Sequence, residues 1–358
     1  MWVFITLVKY ILSSAFLHPE SLKQLSEAKM IRDPTGSDLL QRVQLEYLNI
    51  GGLRVNFQRT CRVPAGVSNS LPAGLGSFPV FRVSDFKTGA PDEWRDDGYF
   101  MPMYRQEAMW INFARGYMEN PKALIVGAGN INAVSGVPFA RTGEETLDIK
   151  LEPKQNYLVV PPQPWLDGWK AEDGKVYQFV AAELGSGETV EGQITGKETV
   201  GGIQLIVYDP KEGQSLTHAT RPHEYIVGGS WSSAVPTYSG LKGVMMAGVE
   251  GTATLRSMSV QSMGLGRGGE IQQKIYPDPH GLDVWREKPT AVEMVYLVSS
   301  EDFRQVTGHN SPPTPVTHEA YQKLGLPWFE LHDAKLGDST GADIFAKLKP
   351  VGEGKAQK

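Results

Sequence analysis

Sulfur chemistry is almost absent from this sequence, whose 358 residues include one cysteine, Cys61. One thiol builds neither a disulfide framework nor a cysteine-ligated zinc site, since both need several sulfurs. Charge of one sign is missing too: 35 Lys and Arg stand against 40 Asp and Glu, a net charge of -5. Without a basic face to displace counterions from phosphates, nucleic acid is not expected as a partner. No apolar run reaches the ~20 residues that cross a bilayer. The strongest, residues 2 to 17, is interrupted by Lys9 and followed by His18-Pro19. It reads as a docking helix or as sequence upstream of the true start, so membrane association is expected only through residues 1–18. A cytoplasmic body is expected, with secretion or anchoring as alternatives.

The common enzyme signatures are absent as well, with no G-x-S-x-G, H-E-x-x-H, C-x-x-C or Walker lysine. Two glycine runs imitate a dinucleotide fingerprint. In the first, Ala123 to Asn132, Asn132 stands at the third glycine position and Pro138 interrupts the helix that should follow. The second, Gly264 to Gly269, is followed by a short strand pattern and no helix. Each therefore reads as a β-turn or hairpin tip, and no cofactor is expected. Two groups place metal-ligating residues close together: His218, His223 and Glu224, and Asp278, His280 and Asp283. Both lie among Pro and Gly, read as solvated loops, and predict no metal.

What the chain does have is punctuation: 39 Gly and 24 Pro, nearly one residue in five, against ~12% in average proteins. That suits many short strands joined by turns. Leu53, Val55, Phe57, Cys61 and Val63 alternate with Arg54, Asn56, Gln58, Thr60 and Arg62, which predicts a half-buried strand of period two. Further strands are expected over residues 156–160, 175–184, 202–208, 270–276 and 292–299. Helices are expected after Pro19, over Tyr104 to Tyr117, where Trp110, Phe113 and Tyr117 share a stripe, and from a Thr317 cap to Leu324. The fold predicted is mainly β, a β-sandwich or jelly-roll-like body over residues 51–300. A helical N-terminal segment (1–50) and a C-terminal helical segment with a disordered tail (301–358) complete it.

Polar residues within the β region mark the candidate site. Trp165 and Trp169 flank an Asp167-Gly168 pair that reads as a hairpin turn. Gln178, Gln193 and Gln204 interrupt apolar surroundings, and buried amides need partners or a ligand. With Glu183 and Glu191 they form the kind of surface that suits a sugar, ring faces stacking on C–H faces while amides and carboxylates take hydroxyls. The competing interpretation is structural: tryptophans staple a hairpin and glutamines bridge strand edges. Period two also turns Arg59 inward, where a guanidinium needs a carboxylate, and Glu107 is the expected partner.

The runs NFQRT (56–60), PMYRQEAMW (102–110), GNINAVSG (129–136), PQPWLDG (162–168), QFVA (178–181), QITG (193–196), GGIQLIVY (201–208), MGLGRGG (263–269) and GLPWF (325–329) resemble a family of uncharacterised proteins from bacteria and filamentous fungi. The resemblance spans about residue 53 to 330. The family has no established activity, so it implies no catalytic residue, and members often carry tyrosine at the position of His280. Some members are labelled integral membrane proteins, which the hydropathy here does not support beyond residues 2 to 17. Three functions are compatible with these residues. One is a ligand-binding or assembly module taking a small molecule or glycan at Trp165, Asp167, Trp169 and the glutamine-bearing strands. The second is a carboxylate-dependent hydrolase or lyase acting on a carbohydrate, pairing Asp167 with Glu183 or Glu191. The third is a self-assembling structural protein, and a homo-oligomer is compatible with all three.

Overall fold

The structure is a computed structural model and describes residues 40, 43–113, 120–142, 146–171, 174–217, 224–227, 260–311, 317–323, 328–331 and 337–352. The chain divides into two units, Met1–Val43 and Gln44–Lys358, and every element below belongs to the second. The helix expected after Pro19, residues 1–18, His218 and His223 lie outside the described residues. Among the described residues, no helix is long and apolar enough to cross a membrane.

The first strands are β1 (Leu48–Ile50), β2 (Leu53–Thr60), β3 (Ser68–Asn69), β4 (Leu71–Pro72), β5 (Phe81–Arg82), β6 (Tyr99–Met103) and β7 (Ala108–Phe113). There follow β8 (Lys122–Ala128), β9 (Ile131–Asn132), β10 (Ala140–Thr142), β11 (Thr146–Asp148), β12 (Leu158–Val160), β13 (Trp165–Leu166), β14 (Gly168–Lys170) and β15 (Lys175–Glu183). The last are β16 (Ile203–Tyr208), β17 (Glu224–Val227), β18 (Ser262–Gln272), β19 (Ala291–Ser299) and β20 (Trp328–Leu331). Short helices α1 (Val190–Thr195), α2 (Phe303–Thr307), α3 (His318–Lys323) and α4 (Ile344–Lys347) are interspersed.

The protein is mainly β. Fifteen of these strands pair into one sheet with the spine β1-β2-β7-β15-β18-β19-β16-β8-β12, rather than into the two packed sheets of a sandwich. Along the spine, the pairing is antiparallel. A separate three-stranded sheet, β17-β20-β4, supplies Leu71 and Trp328 to a cluster against the main sheet. The C-terminal part is not the helical segment expected, because β20 and an extended run accompany its short helices.

The main sheet buries both faces. Alternate residues of distant spine strands, such as Val55 and Phe57 of β2, Ile111 of β7, Phe179 of β15, Leu205 of β16 and Leu124 of β8, share one apolar cluster. The sheet therefore curls around that cluster. Its other face carries Trp110 into a second cluster with Cys61, Trp165, Tyr276 and Tyr321. Further along, it carries Ile125, Ile206 and Tyr208 into a third with Trp285.

Two-sided burial explains where periodicity misled. Strand β2 is not half-buried, for Asn56, Gln58 and Thr60 are enclosed along with the apolar set. The helix expected over Tyr104 to Tyr117 is instead strand β7, whose six residues are all buried between β2 and β15. A strand covered on both faces carries no alternation, and Trp110 and Phe113 then imitate a helical stripe. The Gly264 to Gly269 run is no hairpin tip but lies within the long strand β18. The paired strand β15 and the chain after β2 approach its backbone so closely that a Cβ at Gly268 would meet the Gln178 carbonyl at 2.9 Å, and one at Gly269 would lie 2.8 Å from Val63 Cγ2.

Residues 337–352 strap the sheet; of the tail expected to be disordered, 349–358, the first four residues belong to this strap and 353–358 lie outside the described residues. Asp338 takes the buried Lys170 ammonium at 2.6 Å, the Ala342 N–H donates to the Lys170 carbonyl at 3.1 Å, and the Val351 N–H donates to the Arg267 carbonyl at 2.9 Å. Phe345 of α4 enters the main cluster, its ring 5.2 Å from that of Trp169. Phe345→Ala should therefore cost about 3 to 5 kcal/mol, as a core truncation does. A urea titration checks this: the midpoint should fall while the slope is unchanged.

Candidate functional site

The site begins with a fork in the sheet. Strands β7 and β15 pair only at Met109↔Phe179 and Ala108↔Val180, then separate. Into the gap runs the segment 165–170. Strand β13 follows β7, with Trp165↔Asn112 and Leu166↔Ile111, and β14 follows β15, with Gly168↔Gln178 and Trp169↔Tyr177. Asp167 sits where the segment changes partners, its carbonyl accepting the Phe179 N–H at 3.2 Å. The Asp167-Gly168 pair is thus not the hairpin turn expected. Glycine is required at 168 because a Cβ there would overlap the Tyr177 carbonyl.

Continuing the β13 register by one residue puts Asp167 opposite Trp110, which lies opposite Gln58 of β2. Gln58, Trp110 and Asp167 therefore form one row across three adjacent strands, at about 4.8 Å per strand. They are 2%, 0% and 1% exposed. Each has one buried polar atom without a hydrogen-bond partner among the described residues: Gln58 Oε1, Trp110 Nε1 and Asp167 Oδ1.

The surrounding groups hold the row in place. Gln58 Nε2 donates to Ser77 Oγ at 2.8 Å and to Asn56 Oδ1 at 3.1 Å, which orients the amide. Trp165 Nε1 donates to Asp167 Oδ2 at 3.2 Å, and the Trp110 and Trp165 rings lie 6.2 Å apart at 60°. The Asp167 N–H donates to Gln273 Oε1 at 3.0 Å, while Gln273 Nε2 donates to the Trp165 carbonyl at 3.2 Å. In the same cluster, the Ala73 N–H donates to the Tyr321 hydroxyl at 2.6 Å, and Tyr321 lies edge-on to Trp328 at 5.1 Å. Burial pushes the Asp167 carboxyl well above its ordinary range, opposed only by the Trp165 N–H. Burial also pushes the Cys61 thiol up to about 12, so it is no nucleophile.

Of the other residues expected at the site, most are internal clamps. Trp169 is buried in the apolar cluster, while Trp165 lies in the cluster on the other face, so the two rings share no surface. Gln178 ties β15 to the end of β2, donating to the Cys61 carbonyl at 3.0 Å and accepting the Val63 N–H at 2.9 Å. Gln193 exchanges bonds with the Lys349 backbone, and Gln204 Oε1 accepts the Asn130 N–H at 3.0 Å. The Glu191 carboxylate takes the N–H groups of Thr199, Val200 and Gly201 at 2.8 to 2.9 Å. Glu183 pairs with Arg105 at 2.8 Å. It also stands four residues along β15 from Phe179, roughly 13 Å at strand rise.

Arg59 and Glu107 are brought together, Nε donating to Oε1 at 2.7 Å and NH2 lying 2.6 Å from it. Glu107 sits in the turn before β7, not on a helix, and its second oxygen takes the Tyr104 N–H at 2.8 Å. Burial raises its carboxyl above the ordinary range, with Arg59 and Tyr104 pulling it back. Asp278 takes the Tyr157 hydroxyl and the Trp285 indole N–H, each at 2.7 Å. Among the described residues, no cluster of three or more His, Cys, Asp or Glu could hold a metal ion. Sequence reasoning missed Gln58, assigned to the wet side of β2, and Trp110, assigned to a helix.

Two predictions follow from this geometry. An acid with a raised folded value loses stability as pH climbs from its unfolded toward its folded value, by about 1.4 kcal/mol per pH unit. Asp167→Asn should therefore match the parent protein near pH 4 and exceed it in Tm at pH 7. Equal Tm at both pH values would place the carboxyl in water. Arg59→Met should cost about 3 to 5 kcal/mol by stranding Glu107. Adding Glu107→Gln should recover most of that in a double-mutant cycle. No family model, curated protein or solved structure matches this chain, so the site is read from its geometry.

Proposed function

We propose that this protein is a binding protein that encloses a small polar molecule over the Gln58–Trp110–Asp167 row. The observation that carries this reading is the alignment of three unpartnered buried polar atoms on neighbouring strands. Leaving one such atom unsatisfied costs about 1 to 3 kcal/mol. Three in one row make an acceptor–donor–acid set, with the Trp165 indole beside that of Trp110.

Other assignments have less behind them. A glycan platform at Trp165 and Trp169 needs exposed ring faces, and these two are buried on opposite sides of the sheet. A hydrolase with two carboxylates needs them ~5 to 9.5 Å apart with free oxygens. Glu191 is occupied by backbone N–H groups and Glu183 lies further along β15. Self-assembly through sheet edges gains nothing from β12, an end of the spine whose residues are all buried.

The test is a thermal-shift screen of the full chain against small polyols, monosaccharides and amines, followed through tryptophan fluorescence. A compound at a hundred times its Kd should stabilise by about 2.7 kcal/mol. Gln58→Leu and Trp110→Phe should each remove that shift while keeping a cooperative transition. If no compound binds and both variants are more stable than the parent, the row holds only water or nothing, and the reading fails.

A further inference from the structure

We infer that the molecule taken at the Gln58–Trp110–Asp167 row is a small organic cation, an amine whose positive charge pairs with Asp167 and whose neighbouring oxygen accepts the Trp110 N–H. This rests on the binding reading above and gives it a chemistry.

The first argument is charge. Asp167 is fully enclosed, and its one side-chain hydrogen bond is a 3.2 Å contact from an indole N–H. Two cations on the strands of the fork are paired with other acids, Arg59 with Glu107 and Lys170 with Asp338. A buried carboxylate is stable only with a counter-charge, and a ligand can bring one. The second argument is donor count. With Asp167 ionised, the row carries two free acceptors, Gln58 Oε1 and Asp167 Oδ1, and one free donor, Trp110 Nε1. Such a set repels anions and matches an ammonium that donates twice and carries one acceptor oxygen. The third argument is the wall. The row's own Trp110 ring lies 6.2 Å from that of Trp165, and indole is the aromatic ring that attracts cations most strongly.

Burial favours the protonated form of Asp167, so a cation that pairs with the carboxylate must expel to solvent whatever proton the group holds. A neutral ligand bound through an acceptor would instead need the proton to stay. The two cases therefore depend on pH with opposite signs. The other titratable groups in the same cluster are Cys61, Tyr276 and Tyr321. Burial raises the Cys61 thiol and the Tyr321 phenol. The charged pairs around the fork are Arg59 with Glu107 and Lys170 with Asp338.

Calorimetric titration of the full chain with ethanolamine and with ethylene glycol, which differ only in amine against hydroxyl, tests this between pH 5.5 and 7.5. Ethanolamine should bind more tightly, by at least about thirtyfold at pH 7.5. Its affinity should rise by about tenfold per pH unit while Asp167 holds a proton. Buffers of different ionisation enthalpy should register proton release on binding. Asp167→Asn should remove both the preference and the pH dependence while remaining folded. Equal or tighter binding of ethylene glycol, or an ethanolamine affinity that falls with pH, overturns the cation and leaves the binding site standing. Failure of both compounds together with every member of the wider screen overturns the site itself.

Discussion

A sheet buried on both faces must satisfy, from inside the protein, every polar side chain it carries. Nearly everything distinctive in this molecule follows from that constraint. The apolar face of the curled sheet is ordinary core, while the other face carries Asn56, Gln58, Asn112, Gln178 and Gln204 into enclosed ground. Water cannot rescue these groups, so most of them have become fasteners. Gln178 ties two strands and Gln204 holds the β8–β9 turn. The same logic applies to Glu191, whose carboxylate organises three backbone N–H groups into a fixed corner. With the fasteners set apart, the Gln58–Trp110–Asp167 row stands out as one place where buried polarity lies unanswered on three neighbouring strands.

Two buried carboxyls near the β2–β7 pair make an instructive contrast. Glu107 is answered by a guanidinium on two atoms and by a backbone N–H, and it closes one end of the pair. Asp167 has one long bond from Trp165 and an empty second oxygen. Burial raises both carboxyls, and only the first is repaid within the chain. The fork holds Asp167 there rigidly. Gly168 lets the wedge segment lie against the Tyr177 carbonyl, and Gln273 holds the Asp167 N–H from the far side. Such a group is expensive for a fold and useful for a site, because its charge state responds to what arrives beside it.

Local sequence reading reached the strands with clear boundaries, such as β15, β16 and β19, because turn residues bracket runs of β-formers there. It reached the Arg59–Glu107 pair because side-chain period in a strand is a property of the backbone alone. It did not reach β7, Gly264 to Gly269 within β18, or the strap. Burial on both faces erased alternation in the first, glycines that admit close neighbours imitated a turn in the second, and polar composition concealed tertiary bonds in the third.

The site shows the same division. Trp165 and Asp167 could be singled out from sequence because aromatic and acidic residues stand side by side in an apolar stretch. Trp169 came with them on sequence proximity and lies on the other face. Gln58 and Trp110 join Asp167 only through strand pairing between segments some fifty residues apart, a register no local pattern encodes. The amino-acid sequence by itself determined the β class, the inward turn of Arg59 and the presence of an acid beside a tryptophan in an apolar stretch. Only the tertiary structure decided which atoms that acid faces, because hydrogen-bond satisfaction is a sum over everything packed around a group, and most of what surrounds Asp167 comes from elsewhere in the chain.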